Sequence, residues 1–163
     1  MVPEIKKILY ATDLSENARY AFGYAATIAN RFGAGITLIH VLDNGSPYRE
    51  SLMVNVLGEK KWNQIMKENE ANVVKMFKER LEKFCEEMAD QLPACTFITD
   101  KIVVKVGHPV DKILEETEAS HCDLVVMGTH GHGILGDAAM GSVSRRVLRR
   151  CKKPVLAVRL SED

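Results

Sequence analysis

Short apolar runs alternate with amphipathic stretches along the whole chain, and this alternation restricts the fold more than any other feature. Residues 5–11 read as a short buried strand, and Thr12-Asp13-Leu14-Ser15 follow as a turn in which Ser15 can cap a helix. Ala18, Ala21, Phe22, Ala25, Ala26, Ala29 and Phe32 then recur at spacings of one, three and four. Gly33 supplies the left-handed position that ends such a helix. Residues 36–42 form a second apolar run. From 59 to 91 the period is helical again, through Val73, Phe77, Leu81, Phe84 and Met88, with Trp62, Ile65 and Met66 before them and Pro93 as the stop. At about 1.5 Å per residue that helix is longer than a sheet it could cover, so its first turns are expected to overhang or to meet another subunit. A third strand falls within 97–106, and Pro109 suits the first position of the next helix, whose stripe is Val110, Ile113, Leu114 and Thr117. A fourth strand at 123–127, a glycine-rich loop at 128–140, a helix at 141–151 and a last strand at 154–160 complete the series. Strand-helix alternation with apolar strands predicts an open parallel α/β sheet with right-handed crossovers and helices on both faces. No repeat or linker divides residues 1–163, so one domain is expected, with 43–58 as a variable loop in which Ser51 to Leu57 fit either a short helical turn or an open loop.

Composition narrows the function classes. With 46% of 163 residues hydrophobic, enough surface can be buried to oppose the entropy of ordering. Lys and Arg number 22 and so do Asp and Glu, which removes the positive excess that a nucleic-acid or anionic-membrane partner requires. No apolar run approaches the roughly 20 residues that span a bilayer, and no export signal is expected at the start. Cys85, Cys95, Cys122 and Cys151 stand far apart with no Cys-x-x-Cys pair, which fits reduced thiols in a cytoplasm. Charge is unevenly distributed, because no acid lies between Asp137 and Glu162.

Residues 128–142 depart from what packing alone needs, with glycine at 128, 131, 133, 136 and 141. Glycine lets backbone N–H groups converge on an anion, and Gly141-Ser142 opens a helix whose N-terminus carries partial positive charge, so phosphate is the natural guest. Gly131-x-Gly133-x-x-Gly136 matches a dinucleotide fingerprint in letters but lacks its acidic residue at the expected distance. Gly136 to Gly141-Ser142 has P-loop spacing without the lysine, since Ser142 stands in its place, and phosphoryl transfer loses its main side-chain electrophile. A flexible surface loop is the plain alternative.

Glycines at 128, 131 and 141 followed by Ser142 resemble the universal stress protein family, in particular its ATP-binding branch. The likeness extends to Ile8 through Ser15, to Leu38-Ile39-His40-Val41, to Val126-Met127-Gly128-Thr129-His130-Gly131 and to Lys153-Pro154-Val155-Leu156-Ala157-Val158, leaving mainly 43–95 outside it. This resemblance implies a Rossmann-like five-stranded parallel sheet in order 3-2-1-4-5. It implies that Asp13 meets ribose or adenine, that Val41 meets adenine through its backbone, and that Gly128, Gly131, Gly141, Ser142 and Val143 meet ribose and phosphates. Ala11, Thr12, Met127, His130 and Ser144 belong to the same implied site. ATP, AMP or another adenine nucleotide is the expected ligand, with Mg²⁺ carried by the nucleotide. The resemblance also implies a homodimer paired through the last strand, Val155 to Leu160, and a nucleotide-responsive binding or signalling module in stress response with at most slow hydrolysis.

Physical argument agrees with that assignment: ligands of open α/β sheets bind beyond the carboxyl ends of strands where the order reverses, and a carboxylate such as Asp13 belongs at the sugar or base end, away from phosphate. Asp13 could equally be an acidic cap on the first helix. His130 and His132 lack a third ligand for protein-bound zinc and are expected to serve hydrogen bonding near the phosphates. An alternative is a nucleotide hydrolase or transferase that uses His130 or His132 at the phosphates. A Ser-His-Asp hydrolase is not expected, because no Gly-x-Ser-x-Gly elbow occurs. His40, His108 and His121 read as structural. Arg145, Arg146, Arg149, Arg150, Lys152 and Lys153 suit a helix C-terminus, with Arg145 or Arg146 within reach of a triphosphate.

Overall fold

The computed structural model of the chain describes residues 1–43, 47–65, 70–92, 97–131 and 140–160. Five strands, β1 (Lys7–Ala11), β2 (Gly35–Leu42), β3 (Ile98–Val106), β4 (Leu124–Gly128) and β5 (Val155–Val158), form one sheet in the order β3-β2-β1-β4-β5. Every pairing is parallel, with Ala11 opposite Ile39 on one side and Met127 on the other. The expected order is therefore the observed one. Six helices, α1 (Glu16–Phe32), α2 (Pro47–Leu57), α3 (Glu59–Ile65), α4 (Glu70–Gln91), α5 (Pro109–Ala119) and α6 (Ser142–Arg150), connect and cover it.

Alternate strand residues turn to opposite faces, and the two cores separate accordingly. Ile8, Tyr10, Ile36, Leu38 and Val126 meet the alanine face of α1 with Phe22, and meet Phe84 and Met88 of α4. Leu9, Ala11, Ile39, Val125 and Met127 meet Val110 and Ile113 of α5 and Val147 of α6. Helices on both faces explain why these strands are apolar almost throughout. Ser15 caps α1, Gly33 ends it at φ 64°, and Pro109 opens α5, each as its residue type predicts.

Three expectations change. Residues 47–57 form the helix α2, which takes the helical of the two alternatives for 51–57 and extends it back to Pro47, and Met53 is fully buried there, while 44–46 lie outside the described residues. The single helix read over 59–91 is seen as α3 and α4, with 66–69 between them and Pro93 beyond them outside the described residues. Its excess length serves this chain's own sheet: Trp62, Val73 and Phe77 pack with Met53 against Leu42 at the carboxyl end of β2. Phe32, counted with the buried stripe of α1, is 58% exposed, because the last turn of the helix runs past the sheet.

Candidate functional site

The chain leaves β1 toward one face through α1 and leaves β4 toward the other through α6, so a crevice opens between their carboxyl ends. On the β1 side, the turn is locked by its own side chains. Thr12 Oγ1 accepts the Leu14 N–H at 3.0 Å, an Asp13 carboxylate oxygen accepts the Ser15 N–H at 2.9 Å, and Ser15 Oγ accepts the Ala18 N–H at 3.1 Å. These bonds hold Leu14 at φ 65°, a left-handed geometry that costs a branched residue about 1–2 kcal/mol. Asp13 is thus not the helix cap. Ser15 fills that role, and the Asp13 side chain braces the turn just before it. The buried Tyr10 hydroxyl donates to the Ala18 carbonyl at 2.5 Å and pins the first turn of α1 to the sheet; burial pushes its phenol well above the ordinary value.

On the β4 side the supports are fewer and the glycines tighter. A Cβ on Gly131 would fall on the Asp13 carboxylate, so only glycine lets the loop backbone lie against that group. A Cβ on Gly128 would stand 2.6 Å from Asn17 Oδ1 and 3.0 Å from its Cγ, again closer than side-chain atoms pack. Gly141 is the cap residue of α6 and has no side chain to close it. Its N–H donates to the Thr129 carbonyl at 2.7 Å, fixing the start of α6 to the end of β4.

The expected residues that fall among the described ones take these positions. Asp13, Gly128 and Gly131 converge at the crevice. Val41 is half-buried near the end of β2, Ser142 is exposed and Val143 half-buried on the first turn of α6. Ala11, Thr12, Met127 and Ser144 are buried beneath them. The Ser144 hydroxyl lies 2.8 Å from the Thr129 carbonyl and 3.1 Å from that of Gly141, so it holds the loop from below. His130 Nδ1 lies 2.8 Å from Thr129 Oγ1, while its Nε2 is buried with no hydrogen-bond partner among the described residues. His132, Gly133 and Gly136 lie outside the described residues, so the histidine pair and both competing glycine motifs cannot be placed. Arg145 and Arg146 stand exposed at the start of α6, and Arg150 instead pairs with Asp111 of α5 at 3.1 Å.

Two buried groups were not singled out by the residue pattern. Asn17, 5% exposed, accepts the His130 N–H at 2.8 Å and donates to the Val158 carbonyl at 3.3 Å, so one carboxamide ties α1 to the glycine loop and to β5. A polar residue within the alanine face of α1 was the available signal. His40, read as structural, has Nδ1 2.8 Å from the Thr12 carbonyl, and its ring stacks on Phe77 at 5.2 Å, so α4 supports the Thr12-Asp13 turn through it.

A sequence model of the universal stress protein family matches residues 4–159. Universal stress protein MJ0577 of Methanocaldococcus jannaschii is 30% identical over 154 residues, 94% of each chain. Its solved structure superposes with a TM-score of 0.70 at 28% identity, covering 99% of this chain and 100% of that one. Universal stress protein A homolog 2 of Coxiella burnetii is 32% identical over 157 residues, 95% of each chain. A universal stress protein solved in complex with cAMP shares the fold, with a TM-score of 0.59 at 22% identity over 96% of this chain and 98% of that one.

Proposed function

The chain belongs to the universal stress protein family, and from that premise we propose that it binds an adenine nucleotide, ATP foremost, as a nucleotide-responsive module of stress signalling in the cytoplasm. The observation that carries this reading is the asymmetry of the crevice: an anchored carboxylate on the β1 side faces a helix N-terminus that no side chain caps on the β4 side. Asp13 suits ribose hydroxyls, which donate to it, and repels phosphate. Gly128, Gly131, Ser142 and Val143 offer backbone N–H groups to the phosphates, and Gly141, whose own N–H is held by the Thr129 carbonyl, opens the positive end of α6 toward them. The backbone of Val41 serves adenine. Ala11, Thr12, Met127 and Ser144 support these groups, and the buried Nε2 of His130 has hydrogen-bonding capacity to give to the ligand. A nucleotide fits this donor set. Mg²⁺ would be held by phosphate oxygens and water, because the described residues gather no cluster of three or more His, Cys, Asp or Glu to hold it.

Turnover is slow in this reading. Backbone donors that hold the phosphates equally well before and during reaction lower no barrier, and Ser142 replaces the P-loop lysine. Among the described residues no helix is long and apolar enough to cross a membrane, and the open side of the segment Val155 to Leu160, which contains β5, pairs two copies into a homodimer. The test is to denature protein purified without added nucleotide, identify what is released by mass spectrometry, and titrate the emptied protein with ATP, AMP and cyclic AMP. Release or binding of an adenine nucleotide is expected, with ATP turnover below the ~1–100 s⁻¹ of kinases. Binding of none of the three overturns the site, and kinase-like turnover overturns the binding-module reading.

A further inference from the structure

Helix α4 carries Arg80, Lys83, Phe84 and Glu87 at helical spacing, which puts the four on one stripe of its surface. That stripe faces α1. The buried Phe84 ring meets Phe22 edge to face, Arg19 of α1 pairs with Glu87 at 3.3 Å, and the Arg19 guanidinium lies 5.1 Å from the centre of the Phe84 ring. Between the two helices opens a cleft of about 170 Å³, with the stripe and Arg19 as its walls and Leu14 and Ser15 at its α1 end. Asp13 and Gly131 are not among its walls, so the cleft is distinct from the nucleotide crevice, although the Thr12–Ser15 turn borders both.

The charges of this cleft do not balance. Arg19, Arg80 and Lys83 line it against the single acid Glu87, which Arg19 already engages. Among the described residues neither Arg80 nor Lys83 takes part in an ion pair. Positive charges gathered in a recess over an aromatic ring repel one another more than the same charges spread over an open surface. An anion placed between them removes that cost.

We propose that the cleft between α1 and α4 is an anion site separate from the nucleotide crevice, which takes the phosphate group of a small phosphate or phosphomonoester on Arg19, Arg80 and Lys83. Charge selects phosphate: two cations beyond the Arg19–Glu87 pair match a dianion, whereas a carboxylate answers only one. Guanidinium forks suit phosphate oxygens, and the lysine adds a point charge. Arg19 is set in advance by its ion pair and by the ring beneath it. Ser15 Oγ, having accepted the Ala18 N–H, keeps its own proton to donate. Size limits the ligand to a small one, since the cleft is roughly ten times the space that one water needs.

Amide-resolved NMR of the full chain tests this with inorganic phosphate in one titration and glycerol phosphate in another, at constant ionic strength so that screening does not change. Saturable shifts are expected at Leu14, Ser15, Arg19, Arg80 and Lys83. In the double variant Arg80→Gln, Lys83→Gln the dissociation constant read at Leu14, Ser15 and Arg19 should rise about tenfold, at unchanged circular dichroism. Glu87→Gln removes the one acid and releases Arg19 to the ligand, so binding should tighten severalfold. Equal binding of both ligands assigns the site to the phosphate group itself, and tighter binding of glycerol phosphate assigns it to an organic monoester. Shifts that never saturate, shifts confined to the start of α6, or an affinity that the double variant leaves unchanged overturn the proposal.

Discussion

Helices α1 and α6 begin at the rim of the same crevice and complete their first turns in different ways. In α1 the cap residue Ser15 accepts the Ala18 N–H, Thr12 and Asp13 brace the turn before it, and Tyr10 ties the first turn to the sheet. In α6 the cap residue is Gly141, and no side chain answers for it. The first terminus carries a side-chain cap and the second carries none, which suits it to an anion. In the function proposed above, this difference orients the nucleotide: the sugar to the carboxylate beside the capped terminus, the phosphates to the uncapped one.

The largest expected effect comes from making the two termini alike. Gly141→Asp places an acidic cap on α6, which should lower ATP affinity roughly 100-fold through repulsion at close range while leaving thermal stability equal or slightly higher. Calorimetric titration beside a thermal melt reads both. Next is Gly131→Ala, whose Cβ must displace the Asp13 carboxylate; affinity should fall about tenfold, or about 1.4 kcal/mol, and an unchanged affinity would detach Asp13 from the ligand. Ser15→Ala weakens only the closed terminus, so stability should drop by about 1 kcal/mol in urea melts with affinity within about twofold. The smallest effect concerns alkaline pH. The Tyr10 phenol is raised in the fold above its ordinary value of 10.0, so its contribution is complete below that pH and is lost as pH rises beyond it. Thermal midpoints measured from about pH 8 to pH 11 should fall less steeply for Tyr10→Phe than for the parent.

The strands and the first helix were legible because each rests on a local signal, an apolar run or a cap, whereas the strand order came only with the family resemblance. Helix α2 was legible only in part: Met53, Val56 and Leu57 stand three and four apart, but so short a pattern fits a loop as well as a helix, and the burial of Met53 with Trp62 and Phe77 is a tertiary matter. Of the site, Asp13, Gly128 and Gly131 could be named in advance, but the reasons for both glycines could not. Gly128 is small because Asn17, far away in sequence, occupies the space, and Gly131 because Asp13 does. Asn17 and His40 act across the fold, and no spacing along the chain announces them.

Amide-resolved NMR during titration with ATP and Mg²⁺ tests the contrast between the two termini most directly. The account predicts that the largest shifts fall on the N–H groups of Gly128, Gly131 and Gly141 through Ser144, with small shifts at Glu16 and Asn17. Shifts concentrated at the first turn of α1, or none at the start of α6, would contradict it.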